Sequence, residues 1–216
     1  MMNSNIIESK ESVEEQGARN ANEIELTRIR LMRAFVESQD PSSKDVDDLM
    51  IRRFLRARDL DMEKASSLFL KYLKWRRTFV PNGSISASEL PHEIAQNKMF
   101  LQGFDKKGRP IAVVFGARHF QSEGGIEEFK RFVVLGLDKL CSRMPPGQEK
   151  FVFIGDLQGW GYSNSDVRGC LGALSILQIL FVDNKRIKST LLEEIDESQL
   201  PEIFGGQLPL VPVQDS

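Results

Sequence analysis

The chain has 216 residues, 41% of them hydrophobic and 28% charged, which is the composition of an ordinary globular protein and excludes collagen-like, mucin-like and disulfide-dense classes. Lys and Arg total 29 against 31 Asp and Glu, a net charge of −2, so the molecule as a whole has no strong attraction for nucleic acid or anionic lipid and any charge argument is local. A chain of this length buries roughly 70% of its unfolded surface, so its core needs neither a metal nor a disulfide, and no cofactor is expected.

Cys141 and Cys170 are far apart and outside any Cys-x-x-Cys pair, as suits a reducing compartment with no zinc site. The opening residues have no apolar core of the kind a signal peptide carries, and the longest uncharged stretch, 14 residues between Arg168 and Asp183, is too short to span a bilayer. A cytoplasmic, monomeric protein is expected, with only transient peripheral contact to membranes.

Residues 1–21 are rich in Ser, Asn, Glu and Gln and are expected to form a disordered acidic tail. Helical periodicity begins at Asn22, with Ile24, Arg28, Leu31, Met32 and Phe35 on one face, and breaks at Asp40-Pro41-Ser42-Ser43. A second helix is predicted from about Asp45 to Arg58. A third opens on Asp61, a good N-cap, and runs through Leu68, Phe69, Tyr72 and Trp75 to about Phe79. Residues 22–80 thus read as a helical subdomain.

Beyond the loop Pro81-Asn82-Gly83-Ser84 the pattern changes. Lys98–Phe104 and Pro110–Phe115 alternate as the two strands of a hairpin around Asp105-Lys106-Lys107-Gly108. A helix follows from Gly124-Gly125 to Pro145-Pro146. Phe151–Ile154, a continuous apolar run, predicts a strand buried on both faces. Ser165–Gln178 is a helical window, Ile179–Val182 a strand candidate and Thr190–Ile195 a short helix. The alternation implies an α/β fold over residues 81–207, a mostly parallel sheet flanked by helices, with residues 208–216 as a tail.

Catalytic motifs are scarce. Gly103 and Gly108 have the spacing of a phosphate loop but precede a strand, where helix dipoles cannot meet a phosphate. Gly159-Trp160-Gly161 with Asn164 is a partial dinucleotide fingerprint whose third glycine is missing. His92 and His119 stand outside any metal-binding pattern, and no Gly-x-Ser-x-Gly elbow occurs. Asp156 ends a predicted strand, where α/β folds place catalytic groups, but it has no acid or base partner nearby in sequence and suits a loop-holding role. The protein is not expected to be an enzyme.

The informative segment is Arg52–Arg77, with nine Lys or Arg against three Asp or Glu. Helical geometry lets Phe54, Leu55, Leu68 and Trp75 bury while Arg52, Arg53, Arg56, Lys71 and Arg76 stay wet. Such a face is either simply solvated or a surface for anionic lipid or phosphate. It lacks the aromatic interleaving and motifs of a nucleic-acid binder.

Asp48-Leu-Met-Ile-Arg-Arg-Phe-Leu-Arg-Ala-Arg58 resembles the opening of the CRAL-TRIO lipid-binding family, which includes phosphatidylinositol/phosphatidylcholine transfer proteins. The likeness continues through Ala65, Trp75-Arg76, Asp105-x-x-Gly-Arg-Pro110 and Phe151–Asp156 to Leu200-Pro-Glu-Ile-Phe-Gly-Gly206. It implies a helical front end and an α/β domain whose sheet floors a cavity for one phospholipid, with Phe115, Phe153 and Ile154 as lining candidates. Arg58 matches a residue that helps bind headgroup phosphate, a role suited to a guanidinium. The neighbouring family lysine is Asp59 here.

The resemblance also implies a departure. Between Gln178 and Ile179 roughly 40 residues, enough for a strand, a loop and a gate helix, are absent. The residues alone point the same way: Leu174–Val182 is continuous, with no turn residue between helix and strand, where a reversal needs a loop. Either the helix runs on to Asp183-Asn184 and the last strand is lost, or two elements are joined by excision, as in an alternatively spliced or mispredicted form. At about 25 cal/mol per Å² of exposed apolar lining, losing a gate costs several kcal/mol, comparable with a domain's whole stability. Three readings therefore stand: a phospholipid transfer protein, an interaction or regulatory isoform without a lipid cycle, and a nucleotide enzyme using Gly159–Asn164.

Overall fold

The computed structural model describes residues 2–121, 123–161 and 186–216, with side chains from residue 20 onward. It divides into two compact units, Met1–Gly83 and Ser84–Ser216. The first holds α1 (Met2–Gln39), α2 (Asp48–Arg56) and α3 (Met62–Phe79). Each short helix starts on an aspartate cap: Asp47 accepts from Met50 N and Asp61 from Lys64 N, at 2.7 and 3.0 Å, satisfying amides that the helix leaves without partners.

α1 begins earlier than the apolar periodicity indicates, so that residues 2–21 are helical in backbone rather than disordered. Its Glu, Gln, Lys, Ala and Arg content is helix-favouring, and no proline interrupts it. The three helices meet around Ile29, Met32, Val36, Ile51, Leu55, Ala65 and Phe69, all buried. Phe69 sits edge-on to Phe54 at 4.9 Å.

The second unit begins with the short α4 (Pro91–Ala95), followed by β1 (Met99–Phe104) and β2 (Pro110–Phe115). These strands pair antiparallel as the predicted hairpin. Its turn works because Gly108 takes φ of 70°, a left-handed conformation. Buried Asp105 accepts from Lys107 N at 3.0 Å and from Arg109 N at 2.7 Å. α5 (Gly125–Ser142) then crosses to β3 (Val152–Asp156), which pairs parallel to β2 with Val113 opposite Ile154. The described sheet is therefore mixed, in the order β1-β2-β3, and the architecture is α/β.

One face of this sheet carries Phe100, Ile111, Val113, Phe115 and Ile154 into a cluster closed by Ile195, Leu200 and Phe204 from the C-terminal segment. α6 (Ile187–Glu194) supplies Leu191 and Leu192 beside it. The other face meets α5, where Gly136 admits the Met99 sulfur into space a Cβ would occupy. The last residues are not a free tail. Leu101 N donates to Val211 O and Val213 N to Met99 O, each at 3.0 Å, so residues 211–213 satisfy the outer edge of β1.

β3 differs from expectation. Only Ile154 of its central residues is buried, and Phe153 is 45% exposed. Among the described residues β3 has a strand on one side only. The windows Ser165–Gln178 and Ile179–Val182, and the junction between them, lie outside the described residues.

Removing the Phe69 ring leaves a cavity in the middle of the helical unit. Phe69→Ala is expected to cost about 3–5 kcal/mol in urea denaturation followed by helical circular dichroism. A loss below about 1 kcal/mol would contradict this core assignment.

Candidate lipid-binding site

The predicted headgroup residue, Arg58, lies just beyond α2 in a tight connection to α3. Asp59 and Leu60 both adopt positive φ, 52° and 62°, unusual for residues with side chains. Hydrogen bonds hold the turn: Leu60 N to Leu55 O and Asp61 N to Arg58 O, both 2.8 Å, and the Arg28 guanidinium to Leu60 O. The Arg58 side chain is left exposed, with its one described hydrogen bond to Ala57 O. A shallow groove of about 560 Å³ follows it along α3, where Arg58, Lys64 and Lys71 face Asp61 and Glu63 over Ser67 and Leu68. Lys64 pairs with Asp61, which leaves the Arg58 guanidinium and the Lys71 ammonium as the groups suited to an anionic headgroup.

The four cations predicted for a membrane surface separate. Lys71 is exposed. Arg52 turns toward α1, 3.7 Å from Glu25, and Arg53 is half-buried with its Nε enclosed. Arg76 donates to Gly83 O at 3.4 Å. Arg56 is exposed, as the periodicity indicates, and reaches both Glu25 oxygens at 2.6 and 2.9 Å. That hydrogen bonding holds the Glu25 carboxyl below the usual carboxylate range, against the opposing effect of burial.

The three lining candidates also separate. Phe115 and Ile154 point into the cluster closed by Leu200 and Phe204. Phe153, adjacent in the strand, points to the opposite face and is 45% exposed. Near the carboxyl ends of β2 and β3, Leu157 and Trp160 are also exposed, at 53% and 40%. Asp156 there accepts from Gln158 N at 2.8 Å, holding the loop.

A buried polar group has no warning in the sequence. Lys98, immediately before β1, is 2% exposed. It bonds to Glu93, to Gln96 Oε1 at 2.9 Å and to His119 Nδ1 at 2.8 Å, beneath the rings of Phe129 and Phe132. Burial lowers its pKa. Glu128 of α5 meanwhile accepts from the backbone N of His92 and Glu93. The two histidines thus pin α4, the β2–α5 connection and α5 together. Only the hydrophilic letters amid apolar neighbours could have flagged Lys98, and these name no partner.

Comparison with known proteins places these features. Residues 94–180 match the family described as CRAL/TRIO domain. The chain is 26% identical over 189 residues to the human alpha-tocopherol transfer protein-like protein, covering 86% of this chain and 54% of the relative. It is 25% identical over 218 aligned positions to the phosphatidylinositol/phosphatidylcholine transfer protein SFH4 of Arabidopsis thaliana, covering 75% of this chain and 36% of the relative. With the CRAL-TRIO domain-containing protein C23B6.04c of Schizosaccharomyces pombe it shares 32% identity over 104 residues, 48% of this chain and 10% of the relative. The chain therefore spans about half or less of the length of these curated relatives.

Because the folded Glu25 pKa is lowered, its contribution to stability is present above the ordinary glutamate pKa of about 4.3 and is lost as pH falls through the lower folded value. Glu25→Gln should accordingly reduce urea stability at neutral pH, with the difference from the unaltered chain shrinking below about pH 4. A difference independent of pH would show that the carboxylate's charge is not what matters. The hairpin and the parallel strand both fall within residues 94–180, the part of the chain that matches the CRAL/TRIO domain family.

Proposed function

We propose that the chain is a phospholipid-binding and transfer protein, taking phosphatidylinositol or phosphatidylcholine between cytosol and membrane surfaces. The observation that carries this reading is the CRAL/TRIO match across the sheet-forming half, in the company of relatives named as transfer proteins. Arg58 supports it: exposed, held by a constrained turn and beside a groove of mixed charge that also holds Lys71, it suits contact with a phosphate. No helix among the described residues is long and apolar enough to cross a membrane, so contact with lipid in this reading is made at a surface.

A second reading is a shortened form that no longer transfers lipid and acts through protein interactions. One observation favours a segment of a relative that this chain lacks, though it gives no place for it. The alignment to SFH4 has 218 positions yet covers 75% of the 216 residues, about 162, so about 56 positions have no residue of this chain. The exposed Phe153, Leu157 and Trp160 fit a sheet with less than full cover.

In a vesicle-to-vesicle transfer assay, Arg58→Ala should reduce phosphatidylinositol pickup by about tenfold, the value of a hydrogen bond to a charged group, with a smaller effect on phosphatidylcholine. Equal loss for both lipids would refute the headgroup role. Rapid proteolysis between Gln178 and Asp183 with no measurable transfer would favour the shortened, interacting form.

A further inference from the structure

The geometry points to the outer face of α3 as the surface that docks on an anionic bilayer, with Trp75 entering the headgroup region. The inference deepens the membrane-facing part of the transfer reading and rests on it, but uses residues other than most of the cations first assigned to that task. In an α-helix, positions three, four and seven apart share a face. Leu68, Tyr72, Trp75 and Phe79 make such a stripe on α3. Trp75 stacks on Phe79 with centroids 5.1 Å apart and lies 6.0 Å from Tyr72, yet is itself 42% exposed. The ladder continues inward through Phe54, so the exposed ring is braced by the core of its own unit.

Charge complementarity selects the occupant. Lys71 and Lys74, both exposed, border the stripe, and neither has a carboxylate partner among the described residues. Arg58 and Lys64 extend the same border along the groove, although Lys64 pairs with Asp61 at 2.8 Å. Glu63 is the one acidic residue of α3, in its first turn. A tryptophan and a tyrosine beside lysines, anchored and half out of water, match what a bilayer interface takes: amphipathic rings at headgroup depth and cations over an anionic leaflet. A protein partner would more readily use a charge-depleted apolar core, which this face does not offer.

The test uses the full 216-residue chain carrying Trp160→Phe, so that emission reports Trp75 alone. The probe is vesicles of phosphatidylcholine with phosphatidylserine as the minor component, and pure phosphatidylcholine vesicles as reference. Trp75 emission should shift to the blue and be quenched by acyl-brominated phosphatidylcholine on the anionic vesicles. Lys71→Ala and Lys74→Ala should each weaken binding about fivefold, the equivalent of about 1 kcal/mol per cation near an anionic leaflet, with circular dichroism unchanged. Sedimentation with vesicles without a Trp75 shift would overturn this face while leaving a membrane-acting protein intact. Absence of binding would overturn it too, and lipid pickup measured separately by mass would then decide whether the transfer reading survives. A blue shift that follows protein concentration without vesicles would assign the stripe to a second copy of the chain and refute the proposal.

Discussion

The sheet-bearing unit depends on β2 being covered on both faces and paired on both edges. Ile111, Ala112 and Val113 are fully buried, and a strand so enclosed cannot leave backbone amides or carbonyls unpaired without a penalty of about 1–3 kcal/mol each. β1 satisfies one edge through the hairpin and β3 satisfies the other through a parallel pairing. Everything else in the unit follows from that requirement. α5 must cross over to bring β3 in parallel, and the C-terminal segment must return to close the cluster and cap β1. The ion pairs of Arg109 with Asp105 and with Glu194 join the hairpin turn to α6.

Cover decreases away from β2. At its centre both faces are dry, whereas at β3 one face is buried through Ile154 and the other leaves Phe153 in water. An apolar surface of this kind beside the carboxyl ends of parallel strands is where α/β folds receive ligands, and it is also what a sheet shows when part of its cover has been removed. The same feature therefore underlies both readings of function, and what distinguishes them is occupancy.

Where a signal was local it was legible in the sequence. The caps at Asp61 and the hairpin Asp105–Gly108 depend on residues within four positions of each other, and both folded as their letters indicate. Strands β2 and β3 are visible as apolar runs, but the run Phe151–Ile154 cannot reveal that Phe153 is half exposed, since burial depends on what the rest of the chain brings near. The cations show the same limit. Periodicity puts Arg52, Arg53 and Arg56 on a wet face; Arg56 is exposed, but Arg52 and Arg53 are half-buried, and the partner of Arg56 and Arg52, Glu25, lies 31 and 27 residues earlier in the chain. Lys98 is the extreme case, its partners Glu93 and His119 being assembled by three separate elements. Arg58 and Lys71 remained exposed as the helical pattern implied, because the turn and the α3 face that carry them are set by local geometry.

Native mass spectrometry of the purified 216 residues after incubation with mixed phospholipid vesicles tests the proposed lipid binding most directly. The expected result is a bound increment equal to one phospholipid, retained by a folded protein. A folded preparation that stays bare after the same incubation would contradict it, and would mean that the remaining elements do not close a lipid site.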